Sequence, residues 1–362
     1  MNQPPAPQIP LVVLSSSRPN ERKAWLDTWA KWPEREPAAH PGYLEAIAAE
    51  DEQPMCAVLS SPIGGVLFPF LRRRLGSSPT SGIDYTDITG PLFGYTGAFC
   101  WNIDRSIAGG FWAAFDAWAR TEHVVSTFVR LSLFDDDTLP FEGRSRVAQS
   151  NVVRSLQITD EHLWSDVEHK VRKNVTRAQR EGVTIDHDPE CRDLDDFLAV
   201  YLSTMGRRKA SDRYLFPRRF FETLTAELGS GLQLFLARVG STVVSAELLI
   251  TSTHHAYSFL GGTMSEAFSL RPNDLLKYQM IRCLRDLGFT HYVLGGGPEP
   301  GDGIFRYKRS FAPNGIVDFK VGERIHNPEA YDALLAERLV VARRAGLDWH
   351  PKPNFFPAYR SP

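Results

Sequence analysis

Apolar residues recur along the chain with two different spacings, which predict helices and strands. A spacing of three to four residues, as between Trp25 and Trp29, is typical of a helix with one buried face. The predicted helices cover residues 21–30, 41–49, 106–121, 162–181, 194–205, 218–228, 272–287 and 327–345. Short apolar runs bounded by Gly, Ser or Pro indicate strands. The predicted strands cover residues 55–59, 66–71, 124–133, 232–239, 243–251, 254–260 and 292–294.

The order of these elements repeats once along the chain. The strand pair at residues 55–71 corresponds to the pair at 232–250, and the helix and strand at 106–131 correspond to those at 272–294. Residues 76–97 have the composition of a loop. The simplest architecture for each half is a mixed sheet with helices on both faces.

Turn-forming residues at 135–160 separate the two halves. We therefore expect an N-terminal domain over residues 11–150 and a C-terminal, catalytic domain over 151–346. A disordered tail over 1–10 and a C-terminal tail over 347–362 complete the predicted organisation.

Composition excludes several classes of protein. The 362 residues have a net charge of −2, which argues against a DNA-binding protein. The four cysteines are far apart and form no CxxC pair, so neither a zinc site nor a redox pair is expected, and reduced, buried thiols are. The start of the chain lacks a signal-peptide pattern, and no apolar run approaches the ~18 residues of a membrane span. The expected location is the cytoplasm.

Two basic segments are candidate anion sites. The predicted helix at 162–181 carries Lys173 and Arg177 on one face, which is either a solvated surface or a contact for phosphate or an RNA backbone. Residues 205–219 combine several arginines, among them Arg208, with the aromatic Tyr214. Guanidinium groups suit phosphate or carboxylate, and a plain charged surface is the alternative for this segment.

Two later segments are candidates for ligand binding or catalysis, and each also has a purely structural interpretation. Gly295, Gly296 and Gly297 follow an apolar strand, where glycines allow close approach of a backbone or a ligand or simply form a turn. Residues 305–311 place basic side chains between two phenylalanines. A lysine held near these rings is suited to stabilising an oxyanion or a phosphate, and the alternative is an amphipathic turn with Phe305 and Phe311 in the core. The sequence contains neither HExxH nor GxSxG.

Taken in order, these segments resemble the FemAB family of peptidyltransferases, a branch of the GNAT acetyltransferase superfamily. The resemblance extends over residues 25–339 and lies in five motifs. They are Tyr85-Thr86-Asp87-Ile88-Thr89-Gly90-Pro91 with Gly94-Tyr95, Val171-Arg172-Lys173-Asn174-Val175-Thr176-Arg177-Ala178, Arg271-Pro272-Asn273-Asp274-Leu275-Leu276, Val293-Leu294-Gly295-Gly296-Gly297, and residues 305–311.

The resemblance implies a mixed α/β fold of two tandem GNAT-like domains facing a shared cleft. It implies transfer of an aminoacyl group from aminoacyl-tRNA to an amine acceptor, such as a peptidoglycan precursor or a small biosynthetic amine. The implied catalytic residues are Tyr307 and Lys308. The implied acceptor-binding residues are Arg208, Tyr214 and Tyr257. The implied donor- or tRNA-binding residues are Lys173, Arg177, Gly295, Gly296 and Phe305.

The chemistry that the resemblance implies needs no metal or cofactor, because an aminoacyl ester is already activated. The enzyme would position two substrates and stabilise the tetrahedral oxyanion, with Lys308 as the stabilising group. No general base is apparent. The chain lacks the long charged helical arm of some family members and the Arg/Gln-x-x-Gly-x-Gly/Ala loop that holds coenzyme A. An acyl-coenzyme A N-acyltransferase and a non-catalytic binding protein are the two alternatives.

Overall fold

The computed structural model describes residues 10–77 and 82–362 and divides the chain into two compact units. The first unit consists of residues up to 33, Ala38–Ala148 and Phe319–Pro362, and the second of Glu34–Pro37 and Gln149–Asp318. The predicted tail at 1–10 lies outside the described residues except for Pro10. Within the described ranges, no helix is both long and apolar enough to cross a membrane.

Helices and strands alternate in the order of a mixed α/β fold. The strands are β1 Val12–Ser15, β2 Glu52–Ser60, β3 Gly65–Ser77, β4 Asp84–Thr89, β5 Phe99–Trp101, β6 Val124–Arg130, β7 Arg144–Ser155, β8 Val183–Asp188, β9 Leu232–Val239, β10 Thr242–Thr251, β11 His255–Thr263, β12 His291–Gly295 and β13 Ile316–Ile325. The α-helices are α1 Pro19–Lys31, α2 Pro41–Ile47, α3 Ala108–Thr121, α4 Asp160–Asp166, α5 His169–Arg180, α6 Leu194–Arg208, α7 Arg218–Leu228, α8 Pro272–Asp286, α9 Gly303–Arg309 and α10 Pro328–Arg344.

The first unit is built on a sheet in the order β1-β2-β3-β4-β6-β13, with β5 paired to β3. Strands β4 and β6 are parallel, and α3 connects them after β5, whereas the neighbouring pairs in this order are antiparallel. An aromatic core fills the face against α3. Phe68, Trp112 and Phe115 are fully buried there, and their ring centroids lie 5.1–5.9 Å apart.

The second unit repeats this plan with the order β7-β12-β11-β10-β9-β8. Here β11 and β12 are the parallel pair, and α8 connects them. Helices α5 and α8 bury their apolar faces on the sheet through Val171, Val175, Leu276, Met280 and Leu284. The mixed α/β fold expected from the sequence, with sheets flanked by helices, is confirmed.

The first unit contains a strand where the sequence predicted a loop. Strand β4 lies within the segment 76–97 and is the counterpart of β11 in the second unit. It was missed because it contains Asp87, a charge that is unusual inside a strand. The structure buries this carboxylate completely and pairs it with Arg73 at 2.9 Å and with Arg360 at 2.6 Å.

The helix predicted at 162–181 is two helices. Helix α4 begins at a cap in which the Thr159 hydroxyl accepts from the His162 amide, and it ends before Val167. The Arg172 guanidinium then donates to the carbonyls of Trp164 and Ser165 at 3.1 and 3.0 Å, which satisfies the free end of α4. The break was missed because the apolar spacing continues across it.

The last part of the chain packs with the first unit, although the sequence analysis expected residues 319–346 in the second domain and a tail after them. Strand β13 pairs with β6 through Val321–Ile325. Further on, the Tyr359 hydroxyl lies 2.8 Å from the Ser126 hydroxyl in a buried contact. These contacts make residues 347–362 an ordered part of the first unit.

Candidate functional site

A cleft of about 1000 Å³ opens in the second unit beside the first turns of α5, α8 and α9. Its lining comprises Glu168, Lys170, Val171, Asn174, Arg208, Phe268, Arg271, Asn273, Asp274, Pro298, Asp302, Gly303, Ile304, Arg306, Tyr307, Arg309 and Ser310. Five of these side chains are cationic and three are carboxylic. An excess of guanidinium groups favours an anionic ligand.

The start of α8 presents two polar side chains to the cleft. Arg271 adopts a left-handed backbone conformation with φ of 60°, and Pro272 then fixes the first helical residue. This turn places Asn273 beside Tyr307 of α9: the Asn273 amide donates to the phenol oxygen at 2.8 Å, and the phenol lies 3.2 Å from the Asn273 carbonyl. Burial raises the pKa of Tyr307 well above its usual value, so the phenol stays protonated.

Asp274, the next residue of α8, is the partly buried carboxylate of the cleft. The Asn174 amide of α5 donates to one of its oxygens at 3.0 Å. Burial raises the pKa of Asp274, while the Asn174 hydrogen bond and the charges of Arg271 and Lys170 act in the opposite direction. A carboxylate with a raised pKa in a cleft is a candidate proton acceptor.

Lys308 lies on α9 next to Tyr307 but is not part of the cleft lining. Its ammonium group donates to the Gly296 carbonyl, just beyond the end of β12, at 2.7 Å. Burial is the main cause that lowers the pKa of Lys308 to about 8, and repulsion from Lys277 is the second. Helix α9 is fixed by Asp302, whose carboxylate accepts from the Phe305 amide at 2.7 Å.

The glycines after β12 permit close packing at this strand end. A Cβ atom on Gly296 would lie 2.7 Å from Oδ1 of Asn151, closer than side chains tolerate, and 3.1 Å from the Ser150 carbonyl, which is a tight contact. Gly295 has a φ of 81°, which favours glycine. The sequence prediction of close approach at these glycines is consistent with this geometry, with β7 as the neighbouring strand.

Beneath α8 lies a buried ionic network that sequence reasoning missed. Lys277 bonds to Glu247 and lies 2.9 Å from the Tyr292 hydroxyl, and Glu247 also accepts from Tyr292 and Ser258 at 2.6 Å each. The signal for it was a glutamate within the apolar run of β10 and a lysine on the apolar face of α8. Because the charges are paired and hydrogen-bonded, the unit tolerates their burial.

The residues predicted for the site divide into three groups. Arg208 and Tyr307 line the cleft. Lys308, Gly295, Gly296 and Phe305 lie at the end of β12 and on α9, where Phe305 packs partly into the core. The remaining four, namely Lys173, Arg177, Tyr214 and Tyr257, do not line it.

The four outlying residues have other surroundings. Lys173 and Arg177 are exposed on α5, with Arg177 at 3.9 Å from Glu181. Tyr214 accepts the Tyr201 hydroxyl on its backbone carbonyl, and Tyr257 lies on β11 with its ring 6.3 Å from His255. The structure therefore does not bring these four side chains to the cleft.

Comparison with known proteins agrees with this architecture. Residues 165–309 match the family described as acetyltransferase (GNAT) domain. The structure is similar to FemX, with a TM-score of 0.62, 14% identity and coverage of 86% of this chain and 97% of FemX. A comparison with curated protein sequences gives no match.

Two further solved structures share the fold. The C-terminal domain of a putative lysylphosphatidylglycerol synthetase from Agrobacterium fabrum has a TM-score of 0.53, and L-PGS from Bacillus licheniformis has one of 0.52. Both are 13% identical, and each alignment covers 89% of this chain and 97% of the other. These likenesses concern the fold, and the match at 165–309 contains α9 and every cleft-lining residue except Ser310.

Proposed function

Since residues 165–309 match the GNAT acetyltransferase domain and the fold is similar to that of FemX, we propose that the protein is an amide-forming aminoacyltransferase. It moves an aminoacyl group from aminoacyl-tRNA to an amine acceptor. The observation that carries the proposal is α9, whose consecutive residues Tyr307 and Lys308 turn a phenol to the cleft and an ammonium to the strand end.

The cleft suits a substrate that bears phosphate. Lys170, Arg208 and Arg271 line it on three different segments of the chain. Their charges can neutralise a phosphate or diphosphate, whether it belongs to the acceptor stem of a tRNA or to a nucleotide-linked acceptor. We assign the cleft to the amine acceptor, because Arg208, one of the three residues implied for acceptor binding, lines it beside the implied catalytic Tyr307.

Lys308 stabilises the oxyanion that forms when the amine attacks the ester carbonyl. Its ammonium is already held by the Gly296 carbonyl, so its position is set before the substrate binds. With a pKa of about 8, this group is mostly charged at neutral pH. For this role, the Lys308 ammonium must lie within hydrogen-bond distance of the oxyanion in the transition state.

Asp274 accepts the proton that the attacking amine must lose. The amine nitrogen forms a bond to the carbonyl carbon, the bond to the tRNA ribose oxygen breaks, and that oxygen leaves with a proton. Of the three carboxylates in the cleft, Asp302 is used in capping α9 and Glu168 is exposed. Asp274 keeps one oxygen on Asn174 and has a pKa raised by burial, which makes it a stronger base than an exposed carboxylate.

Acyl transfer from a coenzyme A thioester is the second candidate function. The observation in its favour is the match of residues 165–309 to a family described as acetyltransferases. The absence from the sequence of the pyrophosphate loop described above argues against it. The same roles of Lys308 and Asp274 would apply to a thioester, with a thiolate as the leaving group.

The donor is tested by supplying radiolabelled amino acids on a pool of charged tRNAs, and separately labelled acetyl-coenzyme A, with a panel of amine acceptors. We expect transfer from tRNA that ribonuclease abolishes and that Lys308→Met lowers by about a hundredfold or more. Lys23→Met, which removes an exposed lysine of the first unit, is the matched control. Transfer from acetyl-coenzyme A alone would replace the first function by the second.

A full rate in the Lys308→Met variant would remove Lys308 from the mechanism. Saturable binding of acceptor without transfer from either donor would instead indicate a binding protein, the third reading of the sequence. The choice of donor decides which acyl group is transferred, and the Lys308→Met variant decides separately whether this lysine acts in catalysis.

A further inference from the structure

A second cluster of reactive side chains lies in the second unit, at the opposite end of α8 from the cleft. Cys283 is near the C-terminal end of α8, and its sulfur lies 3.7 Å from Nδ1 of His187 on β8. The other ring nitrogen, Nε2, lies 2.6 Å from the side-chain oxygen of Gln233 on β9. A thiol, an imidazole and an amide therefore follow one another in hydrogen-bond contact.

The hydrogen bonds of Gln233 determine which imidazole nitrogen carries the proton. Its amide nitrogen donates to the Ser230 carbonyl at 2.9 Å, so its oxygen faces His187. An amide oxygen only accepts, hence Nε2 of His187 must be the protonated nitrogen. The lone pair of Nδ1 is then directed at the sulfur of Cys283, and the thiol is the donor.

The imidazole is also held rigidly. The His187 ring stacks on Phe235 of β9 with centroids 4.4 Å apart and planes inclined by 14°. A base fixed by a third group beside a nucleophile is the arrangement that activates cysteine and serine in covalent catalysis. Cys283 is partly exposed as a residue, so a small reagent can approach it.

We infer that Cys283 is a reactive thiol for which His187 acts as the base and Gln233 as the positioning residue, and that it forms mixed disulfides with low-molecular-weight disulfides. The thiol proton passes to Nδ1, and the sulfur attacks one sulfur of the disulfide. The S–S bond breaks, and the released thiolate takes the proton from the imidazolium and leaves as a free thiol.

Burial raises the pKa of Cys283, so the resting side chain is a thiol and the base must act during the attack. Cys100 provides a matched internal comparison. It is also partly buried with a raised pKa, and among residues 10–77 and 82–362 it has no histidine partner. The two cysteines also differ in their charged neighbours, which are Arg105 and Asp137 for Cys100 and Asp286 for Cys283, so the His187→Phe variant below isolates the contribution of the imidazole.

The test measures the reaction of the folded, full-length protein with 4,4′-dithiodipyridine, with site-resolved mass spectrometry of the adducts. We expect Cys283 to react at least about tenfold faster than Cys100. His187→Phe, which keeps the ring stack on Phe235, lowers the Cys283 rate to that of Cys100. Cys100→Ser leaves the fast phase unchanged, and Cys283→Ser abolishes it.

Substitutions of Gln233 separate a chemical role from a structural one. Gln233→Glu keeps an acceptor for Nε2 of His187, so we expect the fast phase to remain. Gln233→Met removes the acceptor that keeps the proton on Nε2, so we expect a slower fast phase. Thermal melts confirm that each variant is folded before its rate is compared. Equal rates at Cys283 and Cys100, or a fast phase that survives in folded His187→Phe, would overturn the inference.

Discussion

The two units share one plan of strands and crossover helix, but they differ in what that helix contributes. In the first unit, α3 begins with Ala108, Gly109 and Gly110 and then buries aromatic rings against the sheet. In the second unit, α8 begins with Asn273 and Asp274, which line a cleft. One architecture thus supports a packed core in one copy and a candidate reaction site in the other.

The buried charges of the two units differ in the same direction. Asp87 of the first unit contacts Arg73, Arg360 and the Tyr359 hydroxyl, so its charge is compensated by groups within the fold. In the second unit, the Glu247–Lys277 pair lies close enough to Lys308 to alter its pKa. The comparison assigns stability to the first network and tuning of a reactive lysine to the second.

The largest expected effect is on the second unit and concerns turnover. Asp274→Asn keeps an oxygen that can accept from Asn174 but removes the base, so kcat/KM should fall by about 10²–10⁴-fold with little change in Tm. Steady-state transfer assays measure the loss. Glu168→Gln, an exposed carboxylate of the same cleft, is the control and should stay near the parent rate. A parent-like rate in Asp274→Asn would exclude this base.

The corresponding change in the first unit should affect stability instead. Asp87→Asn leaves Arg73 and Arg360 without their buried counter-charge, which should lower the free energy of unfolding by about 3–5 kcal/mol. Urea denaturation measures this change. Lys23→Met removes an exposed ion pair and should cost less than about 1 kcal/mol. If Asp87→Asn lowered transfer per folded molecule, the division of roles between the units would fail.

A third prediction uses the lowered pKa of Lys308. Between pH 8 and pH 10.5, the ordinary pKa of a lysine, Lys308 in the folded protein has released a proton that the unfolded chain still holds. Stability of the parent should therefore rise with pH across this window, relative to Lys308→Met, by at most about 3 kcal/mol. Unfolding curves at several pH values check the stability difference. A difference that does not change with pH would mean that the lysine titrates normally.

The same lysine predicts the pH dependence of transfer. If its ammonium stabilises the oxyanion, kcat/KM should fall above pH 8, as the group loses its charge. A rate that rises through pH 8 would indicate that the neutral amine of Lys308 acts as the base. That outcome would remove the need for Asp274.

The smallest expected effect concerns the exposed face of α5. Lys173→Ala with Arg177→Ala should change stability by less than about 0.5 kcal/mol, because both side chains are exposed. If this face contacts tRNA, binding should weaken and the salt dependence of log K should become shallower by about two charges. Filter binding at several salt concentrations measures both. Unchanged binding would leave the helix face as a solvated surface.

Sequence patterns predicted the elements whose side chains are uniformly apolar on one face. Helices α6, α7 and α8 and strands β9 and β10 lie close to their predicted limits, because their apolar spacing matches their burial. Strands β1, β4, β5, β7, β8 and β13 were missed; among them, β4 and β13 contain charges, such as Asp87 and Glu323, that are buried with partners distant in sequence. Partners of that kind cannot be read from local spacing.

The candidate site was predictable only in part for the same reason. Tyr307 and Lys308 belong to a short motif, so the sequence indicated them. Asp274 was visible as part of a helix start, but its role depends on burial and on Asn174, a hundred residues earlier. The fold creates that environment, and the sequence pattern alone does not contain it.

The position of residues 319–362 has a consequence for how the chain is made. The first unit needs β13, Tyr359 and Arg360 for its sheet and its buried Asp87, so it cannot be complete until residue 360 has left the ribosome. The second unit is nearly continuous, from Gln149 to Asp318, and can assemble earlier. During synthesis from the N-terminus, the second unit would therefore be completed first. The first unit would remain without β13 until residues 319–362 had been made.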